Sequence, residues 1–328
     1  MRIMVTGGAG YVGSICSVEL LAQGHEVFVV DDLSTGHREA VPEEATFYGV
    51  NVGDKGSILR IARDQRIDAV FHFAAKALIP ESVTNPAAFF QVNVSASLAM
   101  LDALREAGVK KFVFSSTAAV YGNPASAPIN EDDPKLPVNS YGDTKLCFER
   151  VLAWYASAYG MSAIAFRYFN ASGAVAQVGE DHRPETHIIP LLFEAASGER
   201  ECFTIFGDDY PTPDGTCLRD YVHVLDIARA HILALRALQC PGFAAYNIGT
   251  GESHSVRHVW KAAEKVIGRS IPVRIGARRL GDPAILCANP RKLKTELGWL
   301  PEHSDLSHII ESAWAWKQAQ IRSNGIRV

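Results

Sequence analysis

Six runs of β-branched and apolar residues recur along the first half of the chain: "RIMVTG", "EVFVVDD", "ATFYGV", "DAVFHFA", "KFVFSS" and "SAIAFRYFN". They are apolar on both faces, which suits strands covered on both sides, as in a parallel sheet. The spacing between them predicts helices near 11–23, 55–64, 86–107 and 140–159. Parallel strands need crossovers, so this alternation predicts an α/β fold with a Rossmann-type, doubly wound parallel sheet. After about residue 173 the rhythm changes. "GAVAQVGEDHRPETHIIP" and "FGDDYPTPDGTCLRDY" are rich in Gly, Pro and Asp and read as long loops, and a final helix is predicted near 304–320. The expected division is a Rossmann domain over 1–173 with an interleaved strand near 245–251, and a smaller C-terminal α/β substrate lobe over 174–328.

Composition narrows the partners. With 328 residues, 48% hydrophobic and 21% charged, the chain has the make-up of an ordinary soluble globular protein large enough for two lobes. A net charge of −4 gives no electrostatic footprint for nucleic acid or an anionic membrane, so any phosphate site must be locally positive. No apolar run reaches the length of a membrane span, and the N-terminus enters a strand without a leader pattern. Neither nucleic acid nor membrane is therefore expected as a partner. The six cysteines (Cys16, Cys147, Cys202, Cys217, Cys240 and Cys287) form no C-x-x-C pair, which points to a reducing, cytoplasmic setting. His254 and His258 lie four apart on a predicted helix but lack a third ligand nearby, so no metal is expected.

"TGGAGYVG" closes the first strand and opens the first helix. Gly8, Gly10 and Gly13 make G-x-G-x-x-G; Gly7, Gly10 and Gly13 make G-x-x-G-x-x-G. Either spacing suits a dinucleotide. Glycines permit a tight turn and close backbone approach to a pyrophosphate, and the helix N-terminus offers partial positive charge to the anion. Asp31 ends the second strand, where a carboxylate accepts hydrogen bonds from the adenosine ribose and repels a 2′-phosphate. NAD rather than NADP is the expected cofactor. Arg38 is the nearest cation that would reverse that choice.

Of ten tyrosines, Tyr141 alone has a lysine four residues later, Lys145, which places both on one helical face. The helix follows the strand "KFVFSST", whose carboxyl end carries Thr117, and ligands of such sheets sit beyond strand carboxyl ends. Oxidising an alcohol requires a base for the hydroxyl proton as hydride leaves carbon. A phenol near its usual pKa must drop by about 3 units, or roughly 4 kcal/mol, to be largely phenolate at neutral pH. One cation at about 5 Å supplies on the order of 3 kcal/mol at an effective dielectric of about 20. Lys145 alone falls short, and burial opposes it; Lys145 with an oxidised nicotinamide suffices.

"TGGAGYVG", "SST" and "YGDTK" together resemble the extended short-chain dehydrogenase/reductase family. "DDLSTGH", "HFAA", "FSSTAAVYG", "RYFNASGA", "PETHIIP", "IFGDDYPTPDGTCLRDYVHVLD" and "RRLGDPA" extend the likeness, over nearly the whole chain, to the family's UDP-sugar 4-epimerases. The resemblance selects Gly7, Gly10 and Gly13 as the glycines that count. It implies tightly bound NAD, reversible oxidation at sugar C4 through a 4-keto intermediate, and interconversion of UDP-glucose and UDP-galactose. It implies cofactor contacts at Tyr11, Val12, Asp31, Ser34, Thr35, Asn51, Val52, Phe73, Ala74, Ala75, Lys76, Asn93, Tyr141, Lys145 and Phe169. It implies Tyr141, Lys145 and Thr117 as catalytic residues, and UDP-sugar contacts at Thr117, Asn170, His187, Thr204, Phe206, Arg219, Arg279 and Asp282. Arg219 and Arg279 suit a diphosphate on an acidic chain. A homodimer joined through the two long helices near 86–107 and 140–159 is also implied.

Some positions depart from the family pattern. Asn51 stands where members usually carry Asp, and it can still accept one hydrogen bond from the adenine amine. Lys76 lies one place before the usual lysine, and His187 replaces an Asn of some members. Leu286 falls at a position resembling the sugar-pocket wall, where a residue smaller than Tyr would admit 2-acetamido sugars. UDP-pentose and UDP-N-acetylhexosamine epimerases are thus alternatives. A 4,6-dehydratase needs an acid and a base directly after the Thr; Ala118 and Ala119 stand there and cannot transfer protons. A non-catalytic NAD-sensing protein has no use for Thr117, Tyr141 and Lys145 together.

Overall fold

The computed structural model describes residues 1–175, 178–182, 184–279 and 282–323. Seven strands form the central sheet: β1 (Arg2–Thr6), β2 (Glu26–Val30), β3 (Thr46–Tyr48), β4 (Ala69–His72), β5 (Lys111–Thr117), β6 (Ser162–Tyr168) and β11 (Gly242–Ile248). Their order is β3-β2-β1-β4-β5-β6-β11, and every neighbouring pair is parallel. The chain winds outward from β1 to β3, returns to β4, and then winds the other way. The reversal opens a crevice beyond the carboxyl ends of β1 and β4, the place where such sheets bind ligands. All six expected runs carry sheet strands, and "AAYNIGTG" supplies β11 at the edge beside β6.

Alternation along each strand sends residues to opposite faces. Ile3 and Val5 pack with α1 (Tyr11–Ala22) through Ile15, Cys16 and Leu20. Met4 faces the other side, with α2 (Lys55–Asp64) and its Ile58 and Ile61. Two short helices, α3 (Ile79–Thr84) and α4 (Pro86–Phe90), lead through a π turn over 91–96 into α5 (Ser97–Glu106). The expectation of no membrane-length apolar stretch is corrected here: Pro86–Glu106 is long and apolar enough to cross a membrane by length and composition. Its Phe89, Met100, Leu101 and Leu104 are nevertheless fully buried inside this protein. α6 (Ser140–Tyr159) starts where the Asn139 side chain accepts from the Gly142 amide at 2.9 Å, and it ends at left-handed Gly160.

The second half of the chain is more ordered than its composition suggests. β7 (Asn170–Ser172) pairs with β10 (Tyr221–His223), and α7 (Ile188–Ser197) emerges from "PETHIIP". β8 (Phe203–Phe206) pairs with β13 (Val273–Gly276); β9 (Leu218–Arg219) lies between β12 (His254–Ser255) and β14 (Ile285–Leu286). α8 (Val224–Ala237) joins α1 on the sheet, with Ile227, Ala230 and Ala234 in the same core as Ile15 and Leu20. A separate core joins α7, α9 (Val256–Ile267) and α11 (Leu306–Ser323) through Leu192, Phe193, Val259, Ile309 and Ile310. α10 (Arg291–Leu297) lies against β11 and α8. The final helix runs over Leu306–Ser323, close to the expected 304–320.

Candidate active site

One cavity of about 1150 Å³ opens beyond the sheet's carboxyl edge and runs from the glycine turn into the second half of the chain. At the glycine end, Gly7 has φ +73°, and a Cβ there would meet the Ala74 amide nitrogen at 2.4 Å. A Cβ on Gly13 would meet the Gly7 carbonyl oxygen at 2.2 Å, whereas one on Gly10 would meet the same oxygen only at 3.3 Å. The turn therefore folds tightly because Gly7 and Gly13 lack side chains. α1 has no side-chain cap and no acidic residue in its first turn, so nothing there competes with an anion for its leading amides.

Asp31 is 9% exposed; its Oδ2 accepts from the Ala9 amide at 3.0 Å and its Oδ1 from the Leu33 amide at 2.8 Å. Burial raises its carboxyl, against those two hydrogen bonds. Each oxygen keeps a lone pair for a ribose hydroxyl. Arg38 lies over the Phe47 ring at 4.7 Å and does not line the cavity, so no 2′-phosphate clamp forms there. A glycine cradle, free helix amides and an acid at the second strand fit NAD.

Tyr11, Val12, Ser34, Thr35, Asn51, Val52, Phe73, Ala74, Ala75, Lys76 and Phe169 all line this cavity. Asn51 donates to Asp32 Oδ2 at 2.6 Å and accepts from the Gly53 amide at 2.8 Å, which leaves one Oδ1 lone pair for an adenine amine. Lys76 Nζ pairs with Glu81 at 2.7 Å. Asn93 alone among the expected contacts stands behind the wall. Its amide group bonds the Lys76 backbone at 2.8 and 3.0 Å and Thr144 Oγ1 at 3.0 Å, so it holds the loop after β4 in place.

Thr117, Tyr141 and Lys145 meet on the middle of the wall. β5 ends at Thr117 and the first turn of α6 presents Tyr141, and both line the cavity. Burial raises the Tyr141 phenol, and the neighbouring Thr117 hydroxyl offsets part of the rise. Lys145 Nζ donates to the Ser115 carbonyl at 2.8 Å and lies 6.0 Å from the Tyr141 ring centre. Burial lowers its ammonium to about 7, with Glu149 opposing. The lysine is thus a weaker cation than the sequence argument supposes, which increases the share that an oxidised nicotinamide must supply. Ala118 and Ala119 line the cavity just beyond Thr117.

The far end holds Asn170, His187, Thr204, Phe206, Arg219, Arg279 and Asp282, with Leu286 in the wall. Arg219 pairs with Asp282, and Arg279 lies over Phe206 at 4.0 Å. Asn170 Nδ2 donates to the Asp220 carbonyl at 3.0 Å, and Thr204 Oγ1 accepts from Arg274 at 3.0 Å. His187 Nδ1 faces Glu180 and Glu185 at 2.8 Å each. Burial would lower this imidazole; the two carboxylates outweigh it and raise it to about 10.

Two buried charges, Arg167 and Asp220, support the site from behind without any local sequence signal of that role. Arg167 under the wall bonds Glu149 at 2.6 and 3.0 Å and Tyr121 at 2.8 Å; Ser116 bonds Glu149 at 2.5 Å. Asp220 accepts from the Thr250, Gly251 and Ala288 amides at 2.8–3.1 Å, tying β9 to the loop after β11. Both charges sat in motifs already singled out, "RYFN" and "RDY", but only burial reveals their roles.

The family model for the NAD dependent epimerase/dehydratase family matches residues 3–249. The UDP-glucose 4-epimerase of Corynebacterium glutamicum is 47% identical over 319 residues, covering 97% of this chain and 96% of the relative. The crystal structure of UDP-glucose 4-epimerase from Brucella ovis in complex with NAD superposes with a TM-score of 0.93 at 43% identity, covering 96% of this chain and 98% of that one. The Stenotrophomonas maltophila enzyme, solved with NAD and formylated UDP-arabinopyranose, gives 0.95 at 39% identity, covering 98% and 99%. With the glycine cradle, Asp31 and the Thr117–Tyr141–Lys145 wall in one crevice, these likenesses place the chain in the NAD-dependent epimerase/dehydratase family.

Proposed function

We propose that this chain is a UDP-glucose 4-epimerase that interconverts UDP-glucose and UDP-galactose by reversible oxidation at sugar C4. The observation that carries the reading is one wall: Thr117, Tyr141 and Lys145 lie between the glycine turn and the Arg219–Asp282 end of a single cavity, with Ala118 and Ala119 beside them. NAD bound along the glycine turn supplies the hydride acceptor and later the hydride donor. Tyr141 as phenolate takes the 4-hydroxyl proton, and Thr117 positions that hydroxyl. A proton on Lys145 steadies the phenolate. Arg219 and Arg279 bring local positive charge to the diphosphate of a chain whose net charge is −4, and hold it while the 4-keto sugar turns over. C4 then takes the hydride back on its opposite face, and Tyr141 returns the proton to the 4-oxygen.

In this reading residues 1–173 with the strand near 245–251 bind NAD, and 174–328 hold the UDP-sugar. Exposed Phe90 and Trp154, on α4 and α6, support a homodimer through those helices, and six free cysteines support a cytoplasmic setting. Tyr141→Phe tests the assignment. Separation of UDP-glucose from UDP-galactose should show turnover reduced about 10²- to 10⁴-fold with NAD still bound; unchanged turnover sinks the role.

A further inference from the structure

The loop from β7 to α7 carries four donor side chains that meet at one point. Among the described residues, Glu180, His182, Glu185 and His187 form the group whose ligand atoms all lie within 4.8 Å of one another. The hydrogen bonds within it are unevenly shared: Glu185 Oε1 accepts from the Thr186 and His187 amides at 2.7 and 2.8 Å. His187 Nδ1 is 2.8 Å from Glu180 Oε1 and 2.8 Å from Glu185 Oε1, yet one imidazole nitrogen carries at most one proton. His182 Nδ1 is buried, lies 3.4 Å from Glu180 Oε1 and has no hydrogen-bond partner among the described residues. The two carboxylate side chains are only 9% and 7% exposed. Two buried carboxylates and two imidazole nitrogens therefore converge at one point.

We propose that Glu180, His182, Glu185 and His187 form a binding site for a zinc-class divalent cation. Zinc bonds to His nitrogen and carboxylate oxygen at about 2.0–2.2 Å, which spaces tetrahedral ligands about 3.3–3.6 Å apart. The contacts here, 2.8 to 3.4 Å within a 4.8 Å group, bracket that spacing. Two imidazoles favour zinc, iron or nickel over magnesium or calcium, and two carboxylates neutralise the ion. Four protein ligands make a closed, structural site rather than one with an open position. Its place gives it a task. The same loop accepts the Tyr11 phenol at the Gly173 carbonyl (2.6 Å) and contacts His37 Nε2 at the Asp181 carbonyl (3.2 Å). His187 is also the residue from which α7 starts. A bound cation fixes this strap against Tyr11 and His37 and takes no part in proton or hydride transfer.

The test uses the full chain with its cofactor, treated with a chelator, dialysed and titrated with Co²⁺ alone. Visible d–d absorption of four-coordinate intensity should saturate at one ion per chain and be displaced by one Zn²⁺. E180Q and H182A should each weaken Co²⁺ uptake by at least about 100-fold. H182C should keep uptake and add a thiolate-to-cobalt charge-transfer band, which a merely structural histidine would not give. H258A, at the exposed pair whose Nδ1 atoms are 3.3 Å apart, should leave one ion per chain. If H182A fails to fold by circular dichroism, E180Q and H182C decide alone. Absence of saturable uptake, equal uptake in E180Q, or loss of uptake in H258A overturns the site.

Discussion

Lys145 makes the stability of the cofactor-free protein depend on pH, and methionine at that position removes the dependence. Burial lowers the ammonium from its ordinary 10.5 to about 7. Below the folded value both states hold the proton, and folding carries a constant penalty of about 5 kcal/mol at this site. Between the two values the unfolded chain binds a proton that the folded chain has released. Stability at this site therefore rises with pH from about 7 upward, by about 2 kcal/mol between pH 7 and 9. K145M has no proton to release, and the difference in its packing adds an offset that does not vary with pH. In urea unfolding of the cofactor-free proteins, the stability of K145M relative to wild type should fall by about 2 kcal/mol between pH 7 and 9. Burial raises the thiols of Cys16, Cys217 and Cys287 in the folded state while their unfolded forms titrate near this range, but they are common to both proteins and cancel. A relative stability that stays constant, or grows, with pH would refute a neutral-leaning buried lysine.

Gly13→Ala sets a Cβ 2.2 Å from a backbone oxygen that no rotamer can move aside, and should cost about 1–3 kcal/mol in urea unfolding with loss of bound NAD. Gly10→Ala meets only the same oxygen at 3.3 Å and should cost clearly less; the reverse ranking would contradict the packing. Arg167→Met leaves Glu149 buried without its cation and should cost about 3–5 kcal/mol, and adding Glu149→Gln should recover part of that loss in a double-mutant cycle.

Much of the sheet was legible because its signals are local. A strand covered on both faces must be apolar throughout, so the six runs and the helices between them mark themselves. The glycine turn is equally local: Gly7 and Gly13 are separated by one turn of chain, and their contacts lie within it or at the end of β4. Tyr141 and Lys145 share a face by helical period alone. The second half was harder to read. β9, β12 and β14 have two residues each and form only because partners distant in sequence lie alongside. α7 begins inside a stretch whose Pro and charged residues read as loop.

Fold class and NAD as cofactor could be read from the residues alone, because both rest on short-range periodicity or residue chemistry. Packing set how the polar groups are charged and held. Burial drew Lys145 down to about 7, turned Asn93 into a brace behind the wall, and placed Arg167 against Glu149 beneath it. It also closed Glu180, His182, Glu185 and His187 into one cluster. Desolvation and distance are properties of packed atoms, and they exist only once strands and helices distant in sequence share one interior.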